Sequence, residues 1–281
     1  MPRIQFLILF LTALTFGGGT ACAQGMELKA GAEALPLTID ATGGIEWNQK
    51  EQLFIAAGPA TATRGEMVLD ADELRAYYRE APAGGSEIFR LDAVGNVRIT
   101  TPGRVATGGL AIYDVDKSVI VLKNGNPVKL VAGPDVITTE GQLEFWDKRD
   151  LAVARGNADA VRADRRIRAD VITAHFVTGE DGKTQVGRVE AFDNVRIDTA
   201  NEQVFSDRAA YNVPTGLARL TGSVKIKRGE NIINGCSADI DLNTGISRLN
   251  SCADATSQTP GQTGTQTPGR VHGVLTPKGK K

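Results

Sequence analysis

Few residues in this chain have the types and spacing that metal or catalytic chemistry requires. Asp239, Asp241 and Asn243 follow the alternating order that opens a calcium-binding loop. The glycine comes one place late, at Gly245, and Asn250 stands where such a loop needs a bidentate glutamate. We therefore expect this segment to be a strand and a turn, with no metal bound to it.

Histidine and cysteine are too scarce for most catalytic sites. The 281 residues include two histidines, His175 and His272, and three cysteines, so a histidine-based metal site or a Ser/His/Asp triad has almost no candidate residues. The sequence contains no P-loop, G-x-S-x-G or H-E-x-x-H motif. We expect a binding or structural protein with no catalytic residues, no metal site and no cofactor.

The charge balance bears on the choice of partner. Lys and Arg number 32 against 33 Asp and Glu, which gives a formal net charge of −1. A protein held to nucleic acid by phosphate contacts carries an excess of positive charge instead. Nucleic acid is therefore not expected as a partner.

The first residues have the features of a secretory signal peptide. Arg3 precedes an apolar run over 4–16, and Ala21-Cys22-Ala23 forms a small-x-small cleavage site. The run is shorter than the roughly 20 apolar residues that cross a membrane. We predict a signal peptide over 1–23, cleaved after Ala23. The alternatives are a lipoprotein acylated on Cys22 and an uncleaved membrane anchor.

Cleavage at that point leaves Cys236 and Cys252 in an oxidising compartment. The segment between them alternates on both sides of a three-residue turn that ends in Gly245, as in a β-hairpin. If Leu242 pairs with Ile246, the two cysteines face each other across the hairpin. The sequence thus predicts a disulfide, with two unpaired buried thiols as the alternative.

The body of the chain alternates with the period of β-strands. From about residue 37 to 249, apolar residues recur at every second position in short runs bounded by Gly, Asn, Asp or Pro. A small pair of turn residues followed by alternation recurs, with its reference positions at Asn96, Asn126, Asn157, Asn194 and Ser223. The pattern predicts an all-β stack of hairpin-like units that bury their apolar faces against their neighbours.

The ends of the chain differ from this body. Residues 24–36 are expected to be an N-terminal lead-in. Residues 253–281 are rich in Gln, Thr, Pro and Gly and end in lysines, a composition that predicts a disordered tail.

The strand motifs resemble the OstA-like domain of the lipopolysaccharide transport protein A family. The resemblance covers roughly residues 37–250 and is carried by 93–97 (AVGNV), 192–195 (FDNV), 209–211 (AAY), 217–224 (LARLTGSV) and the hairpin over 239–249. It implies one OstA-like β-repeat domain over 37–252, built as a curled antiparallel sheet of the jelly-roll type that is open along one side. It also implies that the apolar interior holds the acyl chains of lipid A.

The same resemblance implies a role and a set of partners. The protein would lie in the periplasm and carry lipopolysaccharide from the inner to the outer membrane, as part of an oligomeric bridge. Its partners would be lipopolysaccharide, other OstA-like components of the export complexes at both membranes, and further copies of itself joined head to tail. Unpaired strand edges would allow that joining by β-augmentation.

Alternation places one apolar row on the inner face of each strand, and an incompletely closed sheet exposes that row as a groove. We expect the following residues to line the groove: Val97, Ile99, Ile112, Val121, Phe145, Val153, Val195, Ile197, Tyr211, Val224 and Ile226. Any of them could instead be packed core.

Three other interpretations remain open. The chain could be a structural or surface β-repeat protein without lipid cargo. It could be a membrane-tethered member of the same export apparatus, if the signal stays uncleaved. An enzyme acting on polysaccharide is the third, although no spacing among the 33 acidic residues singles out a catalytic carboxylate pair.

Overall fold

The computed structural model describes residues 38–80, 85–179, 184–241, 243–244, 246–252 and 272–274. Nearly all regular structure in these residues is antiparallel β-strand, the exception being a short 3-10 turn at Asp147–Arg149. The predicted all-β, antiparallel repeat fold is confirmed. None of the described residues forms a helix with the length and apolarity needed to cross a membrane. The predicted signal peptide over 1–23, with Cys22, and the lead-in over 24–36 lie outside the described residues.

The strands fall into two compact units of the chain. Gly18–Ala163 and Val171–Val186 belong to what we call the N-terminal unit, and Asp164–Asp170 and Gly187–Lys281 to the C-terminal unit. The first eleven strands are β1 (Thr38–Ala41), β2 (Ile45–Asn48), β3 (Leu53–Arg64), β4 (Met67–Glu80), β5 (Ser86–Thr101), β6 (Arg104–Asp114), β7 (Val119–Lys123), β8 (Val128–Ala132), β9 (Asp135–Thr139), β10 (Gln142–Trp146) and β11 (Leu151–Arg162). The remaining strands are β12 (Arg165–Thr178), β13 (Thr184–Asp198), β14 (Gln203–Asn212), β15 (Leu217–Arg228), β16 (Asn231–Asp241), β17 (Ile246–Asn250) and β18 (His272–Val274).

Within each unit the chain forms an antiparallel meander. In the N-terminal unit, β2 to β6 pair in sequence order, and β7 and β8 lie end to end along β6. Strands β10 and β9 then pair with β7 and β8, and β11 pairs with both of them. In the C-terminal unit, β13 to β17 pair in sequence order.

The recurring Gly-Asn pairs are β-bulges inside long strands, where the sequence analysis expected turns. The register of β5 against β6 shifts between Val94 and Val97, and the two residues at the bulge, Gly95 and Asn96, have φ of 76° and 45°. Glycine adopts this left-handed region freely, and asparagine tolerates it better than most residues. Similar bulges occur at 193–194 and 222–223. Asn126 is different, because it lies between β7 and β8 and precedes Pro127 through a cis peptide bond.

An asparagine side chain ties each of two bulges to the preceding strand. Asn96 Nδ2 donates a hydrogen bond to Asp72 Oδ2 at 2.9 Å, and Asn194 Nδ2 donates one to Asp170 Oδ2 at 2.9 Å. A Cβ atom at Gly95 would collide with the Asp72 carboxylate. Glycine at position 95 therefore avoids both a strained backbone and a clash with this aspartate, whereas the corresponding residue of the second bulge, Asp193, holds a φ of 60° with a side chain.

The architecture repeats along the chain with an offset of 98 residues. The two bridged bulges have this offset, and so do buried apolar residues on corresponding strands: Ala56 and Ala154, Ala60 and Ala158, Ala71 and Ala169, Leu74 and Ile172, Ala93 and Ala191, Val97 and Val195, and Leu122 and Leu220. Strands β3 to β6 thus correspond to β11 to β14. The described residues contain two tandem copies of one strand pattern, where the sequence analysis expected a single domain over 37–252.

The strand that closes the first copy is one long strand, whereas two short strands take its place at the end of the second copy. In the N-terminal unit, β11 alone pairs with β10 through Leu151 to Arg155 and with β9 through Asp159 to Arg162. In the C-terminal unit, β17 pairs with β16 over Ser237 to Asp241, and β18 pairs with the same strand over Ile232 to Asn234. Two short strands therefore occupy the positions that one long strand occupies in the first copy.

Within the predicted disordered tail over 253–281, His272–Val274 forms β18, and the remaining residues of the tail lie outside the described residues. Strand β17 ends at Asn250 and leaves the first residues of β16 without a neighbour on that side. Unpaired backbone N–H and C=O groups at a sheet edge are costly to bury and prone to pair with other segments. Near the end of the chain, His272–Val274 provides such a segment.

The hairpin that carries the cysteines has a different register from the one expected. Asp241, not Leu242, pairs with Ile246, so the connection has four residues. Asp241 Oδ1 accepts hydrogen bonds from the backbone N–H groups of Asn243, at 2.9 Å, and Thr244, at 3.2 Å. This side-chain turn explains the aspartate that resembled a calcium ligand. Cys236 and Cys252 are joined by a disulfide, with their Cα atoms 4.9 Å apart.

Candidate functional site: an apolar sheet face

One face of the sheet in the N-terminal unit is apolar and tightly packed. Residues directly opposite each other in an antiparallel ladder project from the same face. Such a row crosses seven strands, and each member is at most 5% exposed: Ala56, Leu74, Ala93, Ala111, Leu122, Leu143 and Ala154. We call the face that carries this row the apolar face of the N-terminal unit.

A second row on the same face lies two residues along each strand. It consists of Phe54, Ala76, Leu91, Tyr113, Ile120, Phe145 and Ala152. Most of these side chains are partly exposed, so this row is the more accessible part of the face. Of the residues predicted to line the groove, Phe145 lies in it. Val97 and Ile99, beyond the β5 bulge, are buried at 1% and 4% exposure.

Three of the predicted groove residues lie on the opposite face. Ile112 pairs with Val121, Val121 with Glu144, and Glu144 with Val153. These residues alternate with the apolar row, so they cannot share a face with Phe145. The predicted alternation of inward and outward residues was correct, but these three residues were assigned to the wrong face. Strand β6 carries apolar residues on both faces, and the buried row consists largely of alanines.

That opposite face carries a network of hydrogen-bonded charges. Glu144 is 5% exposed and accepts hydrogen bonds from Gln142 Nε2 at 2.7 Å, Trp146 Nε1 at 2.8 Å and Arg155 Nε at 2.6 Å. Burial alone would raise the pKa of Glu144, but these donors outweigh it and hold the pKa below its usual range. Asp92, also buried, pairs with Arg90 at 2.7 Å. A face with this composition is unsuited to acyl chains.

In the C-terminal unit all five predicted groove residues lie on one apolar face. Val204, Leu220, Val224, Ala238 and Ile240 form a buried cluster, and Ile197, Ala209, Ala218, Ile226 and Leu249 pack against it. Val195 projects from the same face as Ile197, because the two residues are two positions apart on β13. Tyr211 pairs with Ala218, which pairs with Ile240. We call this surface the apolar face of the C-terminal unit.

The other side of the same strands is polar. Ala210, next to Tyr211, faces Arg219, which in turn faces Asp239. Arg219 Nε lies 3.5 Å from Asp239 Oδ1. Neighbouring positions on one strand therefore present an apolar and a charged surface.

Tyr113 and Tyr211 occupy corresponding positions on the two apolar faces. Tyr113 lies between Leu91 and Ile120, and Tyr211 between Val189 and Ala218. Each residue of the second set is 98 positions after its counterpart in the first. Burial raises the pKa of both phenols, so each hydroxyl stays protonated at neutral pH.

The apolar face of the N-terminal unit becomes accessible at β2. Ile45 faces Ala56 and Trp47 faces Phe54, yet Ile45 and Trp47 are 59% and 57% exposed. The Trp47 ring stacks on Phe54 with ring centroids 5.5 Å apart, and its Nε1 donates a hydrogen bond to the Tyr78 hydroxyl at 2.8 Å. Trp47 is thus held rigidly while much of its ring remains open. The sequence analysis missed both residues, although they continue the alternation toward the chain start.

One buried carboxylate has only a long ion pair to offset its burial. Glu202, in the turn between β13 and β14, is 6% exposed. Burial raises its pKa, and Arg228, whose Nη2 lies 3.8 Å from Oε1, opposes that rise only in part. In the described residues no group of three or more His, Cys, Asp or Glu side chains is arranged to hold a metal ion.

Comparison with known proteins shows a family match, and similarity to a curated protein and to a solved structure. The family described as LptA/(LptD N-terminal domain) LPS transport protein matches residues 38–142 and again residues 138–246. An uncharacterized protein of Rhizobium meliloti (strain 1021) is 22% identical over 171 residues, which cover 59% of this chain and 88% of that protein. The crystal structure of LptH, the LptA homologous periplasmic component of the lipopolysaccharide transport device of Pseudomonas aeruginosa, aligns with a TM-score of 0.40 and 15% identity over 51% of this chain and 96% of that chain.

Proposed function

Because the chain belongs to the LptA/(LptD N-terminal domain) family of LPS transport proteins, and not to a family of enzymes, we propose that it carries lipopolysaccharide across the periplasm with the acyl chains held against its apolar faces. The observation that carries the proposal is the composition of those faces. In each unit, a ladder of mainly Ala, Leu, Ile and Val side chains projects from one face, and charged side chains pair on the opposite face of the same strands.

An apolar face of this kind suits a carrier. Burying hydrocarbon contributes about 25 cal/mol per Å² of apolar surface and depends little on direction. Acyl chains can therefore be held firmly and yet slide without breaking specific hydrogen bonds. The half-buried tyrosines and the exposed Trp47 add large apolar contacts at low conformational cost.

Location and assembly follow from the same proposal. The signal peptide over 1–23 would direct the chain to the periplasm, and cleavage after Ala23 would release it. There it would form part of an oligomeric bridge with other OstA-like components and with further copies of itself. One strand in each unit supports this: β2 pairs only with β3, and β17 only with β16, in the part that the structure describes. Each leaves an edge that an incoming strand can extend.

Native mass spectrometry of the mature protein tests the carrier function. The protein is mixed with lipopolysaccharide that lacks the O-antigen and, separately, with a phospholipid. We expect stoichiometric binding of lipopolysaccharide that excess phospholipid does not displace. A chain that retains no lipid under any condition would instead be a structural β-repeat protein.

Two neighbouring alanines provide a matched pair of variants. Ala209 lies on the apolar face of the C-terminal unit and Ala210 on the polar side, and both are partly exposed. We expect Ala209→Asp to weaken lipid binding and Ala210→Asp to leave it unchanged. A photo-crosslinking amino acid at Tyr211 should capture lipid, and the same group at Ala210 should not. The crosslinking arm remains informative if Ala209→Asp is unstable, and equal capture at both positions would contradict the assignment of the face.

A further inference from the structure

The two apolar faces are copies of one site. The Leu91–Tyr113–Ile120 row of the N-terminal unit and the Val189–Tyr211–Ala218 row of the C-terminal unit match residue for residue at an offset of 98. In both rows a half-buried tyrosine stands between two aliphatic side chains. A match of this kind across three paired strands requires the ladder register to be the same in both copies.

The bulges beside these rows match as well. Asp72 and Asn96 are 24 residues apart, as are Asp170 and Asn194, and the amide-to-carboxylate distance is 2.9 Å in both pairs. A bulge bends its strand and redirects the side chains that follow. Because the bend is fixed in the same way twice, the two apolar faces are set by the same local geometry.

The family match is also repeated. Residues 38–142 and residues 138–246 each match the same family of LPS transport proteins. Each stretch contains one of the two tyrosine rows and one of the two bridged bulges. No strand essential to either row belongs to both matches.

We propose that each copy is a complete acyl-chain site, so that one chain binds two lipopolysaccharide molecules. The inference rests on the proposed function and adds the number and position of the sites. The N-terminal site is centred on Tyr113 and the C-terminal site on Tyr211.

The two sites differ in the room they offer. Where the N-terminal row has Leu91 and Ile120 beside its tyrosine, the C-terminal row has Val189 and Ala218. The side chains beside Tyr211 are therefore the smaller of the two pairs. We therefore expect the C-terminal site to accept a lipid with bulkier acyl chains than the N-terminal site does. The two binding steps should also have different affinities.

Native mass spectrometry at increasing lipopolysaccharide concentration tests the number of sites. The mature full chain should take up two molecules. Tyr113→Asp and Tyr211→Asp should each reduce the maximum to one, and the double variant should bind none. The matched controls are Ile112→Asp and Ala210→Asp, on the opposite faces and likewise 98 residues apart, which should both still bind two.

Photo-crosslinking covers the case in which an aspartate variant fails to fold. A chain with the crosslinker at both 113 and 211 should yield a species with two lipids attached. A maximum of one lipid per chain, with the two positions competing for it, would overturn the two-site inference while leaving the carrier function intact. Failure of the unmodified chain to bind any lipopolysaccharide would overturn the proposed function itself.

Discussion

Asn96 donates a hydrogen bond from Nδ2 to the Asp72 carboxylate on the neighbouring strand, and the glycine before it leaves the space into which that carboxylate fits. This contact holds the strand bend beside the N-terminal tyrosine row. Its counterpart, between Asn194 and Asp170, does the same in the C-terminal unit. Neither contact is available to a regular strand, because both depend on successive left-handed residues.

Gly95→Ala should therefore be strongly destabilising. The new Cβ collides with Asp72, and the residue must hold a φ of 76°, so we expect a loss of about 3 kcal/mol in the free energy of unfolding. Gly103→Ala is the control, because Gly103 has a φ of 72° with open space around it. That variant should lose about 1 kcal/mol. Urea denaturation of both measures the difference, and equal losses would show that the aspartate contact contributes nothing.

Glu144→Gln should destabilise the protein in a manner that depends on pH. The folded state lowers the pKa of Glu144 below its ordinary value of 4.5. The ionised carboxylate therefore contributes stability that is present above that value and is lost as the pH falls through the folded pKa. Unfolding free energies of both proteins at several pH values should show a deficit of the variant at neutral pH that shrinks below pH 4.5.

Glu202→Gln should show the opposite dependence. Burial raises the pKa of Glu202 above 4.5, so the folded state favours the protonated form and loses stability as the pH rises through the folded pKa. Relative to the unmodified chain, the variant should gain stability as the pH increases from 4.5 toward neutrality. Since Glu144 and Glu202 are similarly buried, parallel pH profiles for the two variants would contradict the role given to the hydrogen bonds of Glu144.

Removal of the disulfide should weaken the C-terminal unit. The bond spans 16 residues, for which loop closure accounts for about 3 kcal/mol. A Cys236→Ser, Cys252→Ser double variant should unfold at a lower denaturant concentration than the oxidised protein and be insensitive to reductant. Peptide mapping without reduction should recover the two cysteines in one linked fragment. Free thiols at both positions in periplasmic protein would contradict the bond.

Deletion of the last residues should expose the edge of β16. A chain that ends at residue 270 lacks β18, whereas one that ends at residue 275 retains it and loses only the basic end. Amide hydrogen exchange at Ile232 to Asn234 should be several-fold faster in the shorter chain than in the longer one, since protection of these amides requires the neighbouring strand. Equal exchange in the two truncations would show that the tail strand does not hold this edge.

Trp47 should report the arrival of lipid. The chain has two tryptophans, so Trp146→Phe leaves Trp47 as the sole indole. Because 57% of Trp47 is exposed at the edge of the apolar face, acyl chains that cover it should shift its fluorescence to shorter wavelength. The same titration of a Trp47→Phe variant follows Trp146, on the charged face, and should give no shift. A shift of Trp146 alone would place the lipid on the wrong side of the sheet.

Much of the fold could be predicted because period-two alternation is a property of local sequence. Its phase could not be predicted where both faces of a strand are apolar. Ile112 and Val153 are larger and more hydrophobic than their neighbours Ala111 and Ala154, yet the two alanines belong to the buried row of the apolar face. A small residue repeated at one face was the signal that the prediction overlooked.

The bulges and the tail strand depend on information that short motifs do not carry. A Gly-Asn pair is compatible with a turn or with a bulge, and only the length of the strands on either side distinguishes them. The 98-residue period was present in the sequence, since Asn96 and Asn194 were already aligned as reference positions. The shorter spacing of about 30 residues between successive reference positions hides this longer period, which relates whole groups of strands. Strand β18 pairs with β16 across a long stretch of chain, which no local pattern reveals.

The 98-residue period also has a genetic meaning. A crossover between equivalent points, such as those encoding Val97 and Val195, would add or remove one whole copy of the strand pattern. Every strand at the junction then meets a neighbour of the kind it already pairs with. The length of such a protein can therefore change over generations in whole modules without passing through an unfolded intermediate.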